Sequence, residues 1–206
     1  MNNSAQLHGA IVTPPVFSHA VKGVNLYQCT IAVKRLSGVE DHVVLLLPEA
    51  LTPRMTGTVT VHGQLRGYTR QEKEKRRLLL MVLVRAVSID VPQENNCIEL
   101  TGELVREPYY RTTPLGREIA DLMLKVSRPY TGMDYIPCVV WGRCARFCSH
   151  LQKGAKMQVC GRMQSREYIK LTEQGEETRT AYELSIGKLT VLEENAPLQN
   201  GHPAVK

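Results

Sequence analysis

The clearest signal along the chain is a period of two. Leu122, Leu124 and Val126 recur at every second position, and so do Tyr182, Leu184 and Ile186. That spacing lines one face of a β-strand with apolar side chains. The second half of the chain predicts five such strands. The first covers Cys97 to Arg106, holds Gly102 where a bulge or sharp bend is expected, and stops before Pro108. The second covers Glu118 to Ser127. The third covers Tyr135 to Trp141, where Tyr135, Val139, Val140 and Trp141 all favour extended backbone. Cys144, Phe147, Cys148 and Leu151 then recur at three-four spacing, which predicts a short helix over Gly142 to Leu151. Strand four, Lys156 to Tyr168, carries Gly161 inside it. Strand five runs from Thr180 to Leu192, after a polar loop from Lys170 to Thr178.

The same pattern occurs earlier. Leu7-His-Gly9-Ala-Ile11-Val12-Thr-Pro-Pro15 matches Leu100-Thr-Gly102-Glu-Leu104-Val105-Arg-Glu-Pro108 at an offset of 93. That offset also pairs Gly23 with Gly116, Ile31 with Leu124, Arg35 with Arg128 and Asp41 with Asp134. Val61-His-Gly63-Gln matches Val159-Cys-Gly161-Arg at an offset of 98, and Val82 and Val84 match Leu184 and Ile186 at 102. An offset that grows only inside loops indicates two copies of one domain. Three strands, a helix and two strands, with bend glycines in long strands, fit a small closed barrel. The predicted fold is therefore all-β: two tandem OB-fold (five-stranded Greek-key) barrels, each with a short helix between strands three and four. The barrels are expected over residues 1–92 and 96–192, with a disordered tail over 193–206. In the first copy the helical insert, Pro48 to Thr56, is proline-rich and predicts a short or irregular turn. Its charge run, Gln71 to Arg77, reads as a solvated hairpin loop or a phosphate contact.

Charge and composition narrow the function. The net charge of +6 over 206 residues favours an acidic partner, nucleic acid first. The longest apolar run, Leu78 to Val84, is far short of the ~18 residues a membrane helix needs. No membrane is expected, and the polar N-terminus predicts a cytoplasmic protein. The six cysteines, Cys29, Cys97, Cys138, Cys144, Cys148 and Cys160, contain no Cys-x-x-Cys pair. They predict reduced thiols and no metal or cofactor.

The aromatics carry the candidate chemistry. Tyr130, Tyr135, Trp141 (the only tryptophan) and Tyr168 are interleaved with Arg128, Arg143, Arg162 and Arg166. Flat rings beside fixed positive charges hold unstacked bases and track a phosphate backbone. The plain alternative is that these rings fill a core. Arg111, Lys125 and Lys170 complete the candidate cations. No clustered carboxylates with a basic residue, nucleophile elbow or phosphate loop points to an enzyme.

Asn96-Cys-Ile-Glu-Leu-Thr-Gly-Glu-Leu-Val-Arg-Glu-Pro108, Thr113-Pro-Leu-Gly116, Leu124-Lys-Val-Ser-Arg128, Asp134-Tyr-Ile-Pro-Cys-Val-Val-Trp-Gly142, Leu151-Gln-Lys-Gly154 and Val159-Cys-Gly-Arg-Met-Gln-Ser-Arg166 together resemble the bacterial single-stranded DNA-binding protein family. The resemblance spans about Asn96 to Leu192, and the first copy resembles the same family more distantly. It implies four base-stacking positions, Tyr130, Tyr135, Trp141 and Tyr168, whose first-copy equivalents are Ser37, His42, Pro48 and about Tyr68. The first barrel is thus expected to stack less. Resemblance to the tandem variants implies a homodimer with four barrels. It also implies strand protection in replication, recombination or repair, close to the nucleoid. The family usually ends in an acidic tail with an apolar tip that recruits partners. Residues 195–206 hold no acidic cluster, so recruitment by that route is not expected. The competing reading is a degenerate interaction module that recruits a replication or conjugation protein and binds little DNA.

Overall fold

A computed structural model describes residues 2–72, 75–172 and 175–193. The first half runs β1 (Asn3–Val21), β2 (Val24–Lys34), β3 (Glu40–Pro48), a single 3-10 helix (Glu49–Arg54), β4 (Thr58–Glu72) and β5 (Lys75–Ser88). The second runs β6 (Asn96–Leu104), β7 (Tyr109–Thr112), β8 (Glu118–Ser127), β9 (Met133–Trp141), α1 (Gly142–Cys148), β10 (Lys156–Thr172) and β11 (Gly175–Glu193). In each half five strands close on themselves. The first circuit is β1-β2-β3-β5-β4 and back to β1. The second is β6-β8-β9-β11-β10 and back to β6. One junction per circuit is parallel, β3 with β5 and β9 with β11. This is the OB-type Greek-key barrel expected from the repeat.

Each barrel is filled by the inward positions of the period-two pattern. Leu7, Ile31, Leu45, Val61, Leu65 and Val82 fill the first; Ile98, Leu124, Val126, Ile136, Val159 and Leu184 fill the second. The bend glycines make closure possible. The ladder shifts register at Gly63 and at Gly161. A Cβ on either would stand 2.2 Å from a carbonyl oxygen, of Leu83 or Ser185. Only glycine lets the two strands approach this closely.

The barrels join through their first strands. β1 and β6 pair antiparallel from Asn3↔Leu100 to Leu7↔Asn96, centred on Ala5↔Ile98. Ala5 and Ile98 are equivalents in the repeat, so the junction is close to two-fold symmetric. Matching locks follow. Asn3 donates to Leu65 O and accepts from Leu65 N at 2.7 and 2.9 Å, and Asn96 does the same with Met163 at 2.7 and 2.9 Å. Asp41 accepts from Ser165 N, and Asp134 from Gly67 N, each at 2.9 Å across to the other barrel.

Four local expectations differ. The loops expected at Lys170 to Thr178 and Gln71 to Arg77 are strand: β10 and β11 reach Thr172 and Gly175, and β4 and β5 reach Glu72 and Lys75. Residues 175–178 of β11 are exposed, so no core imposes apolar alternation there. The helix ends at Cys148 and buries Ala145 and Cys148, while Phe147 is exposed. β7 has no signature in the sequence because all four of its residues face solvent. The expected disordered tail, 193–206, lies outside the described residues beyond Glu193, which ends β11.

Candidate nucleic-acid interface

The pleat of β9 sorts its side chains. Asp134, Ile136, Cys138 and Val140 turn inward and are buried. Tyr135, Pro137, Val139 and Trp141 turn outward. Strand register then assembles rows across the outer face. Arg111 lies opposite Ile119, which lies opposite Trp141. One row further, Tyr109, Asp121, Val139, Ser185 and Arg162 follow one another from β7 to β10.

These rows form a groove of about 630 Å³. Trp141 lines it and is 41 % exposed, so its ring is open to a ligand. Five arginines line it too: Arg35, Arg111, Arg117, Arg162 and Arg166, against the two carboxylates Asp121 and Glu183. Arg35 comes from the first barrel, so the groove spans both. Burial and the neighbouring Arg35 lower the Arg162 guanidinium, partly offset by Asp41. Like charges held this close are relieved by an anion between them.

The expected site residues are thus divided. Trp141, Arg111, Arg162 and Arg166 share the groove. Tyr135 is exposed on the same face, with Lys125 opposite it on β8. Tyr130 stands 97 % exposed in the β8–β9 loop and lines a second hollow of about 700 Å³, together with Arg85 and His62. Arg143 is exposed on α1 and lines neither hollow. Tyr168 and Lys170 lie on β10 opposite Arg179 and Glu177, and their side chains lie outside the described residues. Four cations already hold carboxylates: Arg111 with Asp121, Lys125 with Glu103, Arg128 with the buried Asp134 and, at 3.9 Å, Arg162 with Asp41. Arg128 also sits 6.0 Å over the Tyr68 ring, across the barrel junction.

Tyr68 is not the equivalent of Tyr168. It lies five residues past Gly63, whereas Tyr168 lies seven past Gly161. Its repeat partner is Arg166. Arg35 and Arg117 were not among the sequence candidates. Arg117 closes the turn before β8, its backbone N–H donating to Thr113 Oγ1 at 3.0 Å, and carries no motif. Arg35 was legible, because it is the repeat partner of Arg128 and holds Asp41 as Arg128 holds Asp134.

Two fused OB barrels with an open, arginine-lined aromatic groove define a class of structure suited to a polyanion with planar bases. Residues 95–192 match the model of the Single-strand binding protein family. A single-stranded DNA-binding protein of Oceanobacillus iheyensis is 33 % identical over 94 residues, 42 % of this chain and 55 % of that protein. Single-stranded DNA-binding protein 1 of Staphylococcus aureus is 41 % identical over 80 residues, 35 % of this chain and 48 % of that protein. The chain spans about half the length of the curated relatives it matches. The crystal structure of the wild-type single-stranded DNA binding protein from Thermus aquaticus superposes with a TM-score of 0.71, at 20 % identity, over 97 % of this chain and 96 % of that one. The shared fold therefore extends over both barrels. These proteins are named for binding and not for a reaction, which agrees with the reading of the chain as a non-enzyme.

Proposed function

We propose that this chain binds single-stranded DNA without strong sequence preference. Bases stack on Trp141, with Tyr135, Tyr130 and Tyr168 as further rings along the strand's path. Phosphates are held by Arg162, Arg166 and Arg35, and by Arg111 and Arg117 at the far wall. Arg128 serves mainly to lock the barrels together. The observation that carries this reading is the exposed Trp141 ring in a groove with five arginines. Residues 1–92 and 96–192 act as the two barrels of one binding unit, and two chains give four. Covering exposed strands in the cytoplasm during replication, recombination or repair is the role that fits such a unit.

Salt dependence tests the phosphate contacts. Affinity for single strands falls with log salt by about 0.7 per phosphate neutralised. Arg166→Ala should flatten that slope by about 0.7 in oligo-dT titrations at several salt concentrations. An unchanged slope places Arg166 off the phosphate path. The pairing of Arg111, Lys125 and Arg128 with carboxylates favours a second reading, an interaction module that binds little DNA. A gel shift separates the two, since strong preference for single over double strands supports the first.

A further inference from the structure

β6 and β10 place two cysteines, far apart in the chain, on one patch of surface. The alternation that sends Ile98 and Leu100 into the core turns Cys97 and Glu99 outward. Cys160 of β10 lies opposite Glu99, one diagonal step from Cys97. A sulfur from each cysteine and a carboxylate oxygen of Glu99 all lie within 4.8 Å of one another. Burial, the neighbouring Cys160 and then Glu94, in the segment that enters β6, push the Cys97 thiol up, so both side chains lie near it.

We propose that Cys97, Cys160 and Glu99, with Glu94 as the fourth ligand, form a tetrahedral site for zinc or a zinc-like divalent cation. Zinc takes sulfur at about 2.3 Å and carboxylate oxygen at about 2.0–2.2 Å, which sets the two sulfurs roughly 3.8 Å apart. The Cys97, Glu99 and Cys160 ligand atoms lie within 4.8 Å of one another, and side-chain rotation on binding draws them to that spacing. Binding exchanges two thiol protons for two sulfur–metal bonds, and the protons leave to solvent. Lys188, opposite Cys160 on β11, and Arg85, in the hollow that Cys97 and Glu99 line, offset the surplus negative charge.

A disulfide fits less well. Diagonal neighbours on antiparallel strands stand roughly 7–8 Å apart at Cα. A disulfide needs about 4.4–6.8 Å. Both cysteines are free. The site adjoins the β1–β6 junction, where Gln6 pairs with Cys97 and Ser4 with Glu99. A cation there ties the interbarrel linker, through Glu94, to β10 and stiffens the joint.

The test uses the full chain, reduced, stripped with a chelator and titrated with Co²⁺. The expected result is a thiolate-to-cobalt charge-transfer band that saturates at one equivalent and is displaced by Zn²⁺. Cys97→Ser and Cys160→Ser abolish the band, and Cys144→Ser keeps it. Glu99→Gln, a surface change that spares the fold, weakens binding at least tenfold, in line with the roughly 10–100-fold effects of changes even outside the ligand set. Zn²⁺ raises the melting temperature of the wild type and not of Cys160→Ser. Absence of the band overturns the proposal. So does a band that survives in both serine variants, or loss of both thiols with a mass two hydrogens lower, which identifies a disulfide instead.

Discussion

Trp141→Ala is expected to lower affinity for oligo-dT at least tenfold and to leave the melting temperature nearly unchanged. The ring lies on the outer face of β9 and takes no part in the buried core of the second barrel. Trp141 is also the N-cap residue of α1, but its side chain makes no capping bond there. Alanine therefore removes the ring without uncapping the helix. Stacking of one base on an aromatic ring contributes roughly 1–3 kcal/mol, a factor of about 5 to 150. Trp141→Phe keeps a π face and should recover much of the loss. Anisotropy of a labelled oligonucleotide measures the affinity, and thermal melts confirm the fold. An affinity within twofold of wild type removes Trp141 from the binding path.

Asp134→Ala produces the largest expected loss of stability. The carboxylate has no exposed surface. It accepts from Arg66 Nη1 at 2.9 Å, Gly67 N at 2.9 Å, and Arg128 Nη2 and Nε at 2.7 and 3.1 Å. Arg66 and Gly67 belong to the first barrel, so one carboxylate fastens both. Its removal strands the Arg66 guanidinium, only 7 % exposed, without its counter-ion. Breaking such a buried pair costs about 3–5 kcal/mol, readable by urea unfolding. Asp41→Ala should cost less, because its partner Arg35 is 24 % exposed and can rehydrate. Acid acts on the same lock. Burial alone raises the Asp134 carboxyl, but the hydrogen bonds from Arg128, Arg66 and Gly67 N outweigh it and hold it below the ordinary 3.8. A carboxyl lower in the folded than in the unfolded state stabilises fully above its unfolded value of about 3.9, and that contribution is lost as pH falls through the folded value. Wild type should lose this contribution below about pH 4. Asp134→Asn has none to lose there, so its acid limb is flatter.

The architecture was legible because a barrel writes itself into the chain twice over: inward positions recur at period two, and bend glycines recur at fixed offsets. Asp41 and Asp134, found only as repeat partners, prove to be the reciprocal fasteners between barrels. Where a strand leaves the core this signal vanishes, which is why the exposed start of β11 read as a loop and β7 left no trace. The site was half legible. Ring and charge marked Trp141, Arg162 and Arg166, which share one groove. The same signal marked Arg128, but sequence proximity to Tyr130 says nothing of the buried Asp134 that holds its guanidinium. Arg35 could be found only through the repeat, as the partner of Arg128, since its place in the groove is set by the other barrel, and Cys97 meets Cys160 only on barrel closure. Neither contact has a local spacing to reveal it.

The account stands or falls on the groove at Trp141 taking up an unpaired strand. With one tryptophan in the chain, its emission reports on that groove alone. Titration with dT oligomers of increasing length should quench it saturably, with recovery on adding salt and little response to duplex DNA. Emission that stays constant while the chain binds the oligomers by gel shift would contradict the account, because the strand would then be held elsewhere.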